Sequence, residues 1–188
     1  MTIGTKTLVF GVHNVVLHPL AVLICWLRMY GWPKWHELLA IIVHDWGYWG
    51  CPDIDGDDGV EHPAAGARIA YRIVLRITRN KQLATRTSNL ILGHSRHYAK
   101  RYNVPFSKLL GPDKMSAVLY PWYIYIPMAW LSGELESYRY ETSKLYWATG
   151  IGVPVTSLNR TWYAWMQKYI PTVVANPKDA NYYLRARQ

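Results

Sequence analysis

The sequence predicts an all-α fold, a single-domain helical bundle around a buried metal centre. Three observations predict it. The adjacent pair His44-Asp45 closes the apolar run of residues 38–43, and a carboxylate inside an apolar segment must be paired or bind a metal, because burying it unpartnered is very costly. His18, His62, His94 and Asp113 each head or ride a stretch whose apolar positions recur at three- and four-residue steps, which is the period of an amphipathic helix. Four or five helices that each bring one or two such groups to a common centre make a bundle with a metal site. Finally, 188 residues are most simply one domain, large enough to bury a core without staples.

Taken in order, residues 12–27 are apolar but contain His13, Asn14 and His18, and they are too short to read as a membrane span. His18 precedes Val22, Cys25 and Met29 at helical spacing, and Gly31-Trp32-Pro33 punctuates the chain before the run into His44-Asp45. Between Asp45 and His62 lie Asp53, Asp55, Asp57 and Asp58. A calcium loop of the EF-hand type needs glycine at its sixth position and glutamate at its twelfth; counted from Asp53 these are Asp58 and Ala64, so that reading fails. We read residues 51–59 as a solvated acidic loop beside the site, able to act as a lid. Glu61 is the better candidate to orient His62, ahead of the loop aspartates, since outer carboxylates commonly orient histidine ligands.

His62 then opens a helix in which Gly66, Ile69, Ile73 and Ile77 follow at similar steps. Over residues 81–102 the positions Leu83, Thr87, Leu90, Ile91, His94 and Tyr98 share one face, which predicts a single helix carrying His94 inward. Gly111-Pro112 reads as a helix start that places Asp113 in the first turn, because proline fits that turn; Ala117 and Tyr120 follow at helical spacing. Residues 118–131, "VLYPWYIYIPMAWL", predict a core or partner-facing helix, and their aromatic richness leaves an interfacial surface open. "LSGELESYRYETSKLYWATG" predicts a supporting helix, with Glu134 exposed or capping a turn in preference to approaching the cleft. A closing amphipathic helix should start near Ser157, followed by a polar, basic tail from Asn176.

The net charge of +9 points to anionic partners. The acidic residues cluster at 53–58, whereas Arg68, Arg72, Arg76, Arg79, Lys81 and Arg86 lie along one region and Arg96, Lys100, Arg101, Lys108 and Lys114 along another. Most such residues form a solvated face. Arg96, two after His94, and Lys114, next to Asp113, are the candidates for holding phosphate, since Arg offers a bidentate fork and Lys a point charge. Two cysteines, Cys25 and Cys51, make no zinc or redox motif, so a reducing cytoplasm is expected. No cleavable signal and no transmembrane segment is visible.

Read together, the candidate residues give H…HD…H…H…D. This order resembles the HD-domain superfamily of metal-dependent phosphohydrolases over roughly residues 13–140, through "VLHPLAVLICWL", "AIIVHDWG", "EHPAAGARIA", "LILGHSRHYAK" and "LLGPDKMS". The resemblance implies an HD-type bundle over residues 1–150, with residues 151–188 as a closing helix and tail packed on the same domain. It implies His18, His44, Asp45 and Asp113 as primary metal ligands, with His62 and His94 matching the extra histidines of members that hold two metals. The Gly111-Pro112 pair departs from the small helix former that many relatives carry there, so the Asp113 carboxylate should approach from a helix start.

The activity implied is hydrolysis of a phosphate ester or anhydride of a nucleotide, of nucleotidase, dNTPase or phosphodiesterase type. Asp45, His62 and His94 would serve the reaction through a second metal, with Arg96 and Lys114 on the substrate. Histidine and carboxylate ligands without thiolate suit one or two ions of Mn, Fe, Co, Ni or Zn. Two other readings stay open: a mixed-valent diiron oxygenase of the same superfamily, and a non-catalytic module that binds a nucleotide or nucleic acid. His13, His36 and His97 are left without a role, although His97 lies within reach of the cleft that His94 faces.

Overall fold

A computed structural model describes residues 1–54 and 56–175; the expected tail from Asn176 lies outside the described residues. Eleven helices and one 3-10 turn, with no strand, make up the regular structure among the described residues. The helices are α1 (Ile3–Phe10), α2 (Leu17–Tyr30), α3 (Trp35–Val43), α4 (Asp57–Val60), α5 (His62–Thr78), α6 (Lys81–Leu92), α7 (Arg96–Arg101), α8 (Leu110–Ser116), α9 (Trp122–Ser132), α10 (Leu135–Thr149) and α11 (Asn159–Ala175), and the 3-10 turn is Trp46–Tyr48. None of the described helices is long and apolar enough to cross a membrane.

Local signals start several helices. Thr2 Oγ1 accepts from the Thr5 N–H, Asn80 Oδ1 from the Leu83 N–H and Ser95 Oγ from the Tyr98 N–H, each satisfying a donor that a helix start leaves unpaired. The long hairpin of α5 and α6 turns through Arg79, whose φ is 54°. Against it packs α3, and Ala40, Val43, Ala67, Ala70 and Ile91 form their shared core. On the other side, Val22 and Trp26 of α2 meet Ile41 and Leu109, so α2 links the hairpin layer to α8.

A second, larger core joins the segment after α1 to α9 and α11. Val12 packs with Tyr125, Met128 and Ala129 of α9 and with Trp162, Tyr163, Met166 and Ile170 of α11. Polar anchors fix α11 there: Trp162 Nε1 donates to Thr142 Oγ1 at 3.0 Å and the Tyr163 hydroxyl donates to the Tyr120 carbonyl at 2.7 Å. Burying aromatics of this size with their polar tips satisfied is a large share of what holds such a helix down.

Four expectations need correction. Residues 81–102 are not one helix, because α6 ends at Leu92 and α7 begins at Arg96. A Cβ on Gly93 would stand 2.4 Å from the Pro105 carbonyl oxygen; the returning loop occupies that space, and the Ser107 N–H donates to the Gly93 carbonyl at 3.0 Å. Residues 51–59 are not wholly solvated: Cys51 and Ile54 are buried in a core with Leu8 and Tyr48, while Asp53, Asp57 and Asp58 are exposed. Tyr120 lies beyond the end of α8, its hydroxyl donating to the Leu17 carbonyl at 2.7 Å. Glu134 is buried, with 1% of its surface exposed.

Candidate metal centre

The site is built where α3 ends. His44 caps α3 just after Val43, still at helical dihedrals, and Asp45, at φ −95° and ψ 1°, leaves the helix for the 3-10 turn, so two adjacent side chains point into one space. The first residue of α5 is brought against this turn by Gly47, where a Cβ would lie 1.9 Å from the His62 carbonyl oxygen. No other residue permits that approach. His18 comes from the first turn of α2, His94 from the turn after α6, and Asp113 from the first turn of α8. The structure thus brings together all six residues singled out as ligands, every one of them buried.

They form two groups that share Asp45. In the first, His18 Nε2 stands 3.1 Å from His44 Nε2, 3.1 Å from Asp45 Oδ2 and 3.2 Å from Asp113 Oδ1, and His44 Nε2 lies 3.2 Å from Asp45 Oδ2. In the second, His62 Nε2 and His94 Nε2 are 3.2 Å apart, each 3.4 Å from Asp45 Oδ1. The two oxygens of one carboxylate therefore face opposite pairs of histidines.

The hydrogen bonds at the far side of each ring decide the tautomers. Nδ1 of His44, His62 and His94 donates to the carbonyls of Ile41, Gly59 and Ile91 at 2.8, 2.5 and 2.5 Å. The Ser116 hydroxyl donates to the Asp113 carbonyl at 2.6 Å, so its oxygen is left to accept from His18 Nδ1 at 3.3 Å. With the proton on Nδ1, each neutral ring turns an Nε2 lone pair inward. Lone pairs about 3 Å apart repel unless a cation lies between them. Moreover, Asp45 Oδ2 accepts no hydrogen bond despite its burial. Metal–nitrogen and metal–oxygen bonds of about 2.0–2.2 Å separate neighbouring ligand atoms by about 3.0–3.5 Å, which is the spacing found here. The residues fit a divalent metal ion, four donors in one group and three in the other.

The electrostatics say the same. Burial opposes ionisation of Asp45 and Asp113, yet the positive charge of His44 beside the first and of Lys114 beside the second holds them well below the ordinary carboxylate range. Burial would depress His44, but the charges of Asp45 and Asp113 outweigh it and raise it to about 10; without metal, a proton there supplies the positive charge the carboxylates demand. His62 is pressed down to about 4, burial exceeding the pull of Asp45. Its ring is therefore neutral and free to bind a cation.

No family model, curated protein or solved structure matches the chain. What the site can do must follow from its own geometry. A cavity of about 270 Å³ opens on the cluster and is lined by His18, Asp45, His62, His94 and Asp113, and also by Arg96, His97 and Lys114. Both residues singled out for phosphate binding thus reach the same space as the ligands. Arg96 is buried, with Nη2 at 3.5 Å from the Val173 carbonyl, and Lys114 Nζ lies 3.4 Å from Asp113 Oδ2.

Glu61 does not orient His62. Its carboxylate accepts from the Tyr102 hydroxyl at the surface, and the Gly59 carbonyl holds the ring instead. Among the loop aspartates, Asp57 pairs with Arg101 at 2.7 Å. His36 stands apart from the cavity, with Nδ1 at 3.4 Å from Thr87 Oγ1.

Sequence reasoning missed three participants. Tyr48 stacks on His62 with ring centroids 4.0 Å apart, and Ser116 sets the His18 tautomer. The third is His13, whose ring lies against His18 and Tyr48 and lines the cavity, with Nδ1 at 3.1 Å from Glu134 Oε1. Glu134 also accepts from the hydroxyls of Tyr138 and Ser132, so a fully hydrogen-bonded carboxylate stands behind a histidine at the edge of the centre. The signal available was the apolar setting of His13, which fits a core residue as well as a site, whereas Glu134 stands among Ser132, Gly133, Glu136 and Ser137 and gives none.

Proposed function

We propose that the protein is a metal-dependent phosphohydrolase acting on a phosphate ester or anhydride of a nucleotide. The observation that carries this reading is Asp45, with Oδ2 facing His18 and His44 and Oδ1 facing His62 and His94, on the wall of a cavity that also holds Arg96 and Lys114. His18, His44, Asp45 and Asp113 would hold one ion, and Asp45, His62 and His94 a second; such ions polarise a phosphoryl oxygen and supply hydroxide at neutral pH.

The chain's own residues do the rest. Asp45 couples the two groups, and the three-donor group leaves room for water or substrate, as open sites do. The Arg96 guanidinium and the Lys114 ammonium face the phosphate and share its negative charge. Apolar Val12, Tyr125, Met166 and Ile170 line the same cavity, which suits the non-phosphate body of a nucleotide. The excess of positive charge draws anions towards the protein. Cys25 and Cys51 are free and buried, which fits a reducing cytoplasm.

Elemental analysis followed by a phosphate-release screen tests the proposal. Chelator-treated protein reloaded with Mn, Co, Ni, Fe or Zn under anaerobic conditions should release phosphate from nucleoside mono-, di- or triphosphates, or open cyclic nucleotides. Product formed only with consumption of dioxygen would replace this reading with a diiron oxygenase. Tight nucleotide binding without turnover in the metal-loaded protein would replace it with a binding module.

A further inference from the structure

The helix α9 has no charged residue from Trp122 to Ser132. Its inner face, Tyr125, Met128, Ala129 and Ser132, is buried, as expected of a core helix. Its outer face is equally apolar: Tyr123, Ile124, Trp130 and Leu131 are 61, 40, 68 and 51% exposed, and Pro127 lies exposed between them. A helix apolar all round is ordinarily covered on every side. Beside it, α1 adds exposed Val9 and Phe10, and the start of α9 adds Trp122. At about 150–250 Å² for a large side chain, these seven present roughly 700 Å², close to the about 800 Å² per partner of a stable protein interface.

The order of residues on this stripe selects the partner. Measured from Pro127, Ile124 and Trp130 lie three positions to either side, and Tyr123 and Leu131 four. If a second α9 lies antiparallel across a two-fold axis at Pro127, Trp130 of each copy meets Ile124 of the other and Leu131 meets Tyr123. Every contact then joins an aromatic to an aliphatic side chain, and the surface is complementary to itself, as a two-fold interface requires. Two copies that each carry +9 repel one another, so a charge-free face is where they approach at least cost. A lipid-bound amphipathic helix instead carries a charged polar face beside its apolar one, and α9 has none.

We propose that the outer face of α9, flanked by the end of α1, is the interface of a homodimer in which the two α9 helices pack antiparallel about Pro127. Because Tyr125 on the inner face lines the metal cavity, the contact would brace that wall from behind.

Sedimentation equilibrium of the full chain across the micromolar range tests this. Wild type should show twice the 21.8 kDa chain mass, while W130E and I124K should each weaken association by at least about tenfold, a factor worth about 1.4 kcal/mol. Both positions are exposed, and unchanged helical circular dichroism and metal content would show that the fold is kept. The double variant W130E/I124K should recover dimer, since each introduced carboxylate then meets an introduced ammonium of the other copy. A wild-type monomer at all concentrations overturns the proposal, as do single variants that dimerise normally. A double variant no better than the singles overturns the antiparallel register. Flotation of monomeric protein with phosphatidylcholine vesicles, abolished by W130E, would assign the face to lipid instead.

Discussion

Asp45 gives each of its oxygens to a different pair of histidines, so its removal and theirs should differ in kind. Asp45→Asn is expected to lose both ions, whereas His62→Ala or His94→Ala should lose one and keep the other, as read by elemental analysis of folded protein. A two-ion Asp45→Asn variant would refute the shared carboxylate. Metal affinity should also rise with pH, because His44 in the metal-free protein holds its proton up to about 10 and an incoming ion must displace it; titration in weak buffer should show acid released on binding. For Arg96→Ala and Lys114→Ala we expect transition-state stabilisation to fall by roughly 1.5–3 kcal/mol, the scale of a hydrogen bond to a charged group, with half-exposed Lys114 at the lower end and metal content unchanged. Arg72→Ala is the control. Equal, salt-sensitive losses at all three positions would reduce the pair to long-range attraction of anions.

At the scale of elements, the decisive contact is α5 against the turn that follows His44. Gly47→Ala would drive a Cβ into the His62 carbonyl, 1.9 Å away on the present backbone, so α5 must shift. We expect this variant to lose the ion at His62 and His94 first and to unfold at lower temperature, both visible in thermal melts with and without metal. An unchanged melt and full occupancy would show that the turn can yield. Helical spacing made α2, α5 and the start of α8 legible, because their apolar positions repeat on one face. It misread residues 81–102, since the helical pattern runs on through His94 and Tyr98 while the chain's path is decided by the loop packed on Gly93. The partners that orient the ligands were harder still. Ser116 serves His18 from 98 positions away and Glu134 serves His13 from 121, and no local period encodes such meetings.

For the whole molecule, the link between His13 and Glu134 ties the beginning of the chain to the turn between α9 and α10. The His13 pKa is raised above 6.5, where burial opposes but Glu134 and the nearby carboxylates prevail, so its contribution is complete below 6.5 and lost as pH climbs through the folded value. Glu134 is lowered from 4.5 despite burial, by His13 first, so its contribution holds above 4.5 and fades as pH falls through the folded value. The stability difference between metal-free wild type and Glu134→Gln should therefore peak between 4.5 and 6.5 in urea titrations; a flat difference would mean that the pair is not ionic. Glu134→Ala, which leaves its partners unpaired, should cost about 3–5 kcal/mol. The shared Asp45 carboxylate has a thermodynamic consequence of its own. If both groups take up an ion, whatever factor the first imposes on the affinity of the second, the second must return to the first, and two macroscopic binding constants would then describe the pair and neither half alone. Chelation would accordingly empty the centre along a curve whose steepness measures how strongly one carboxylate makes two ions a single unit.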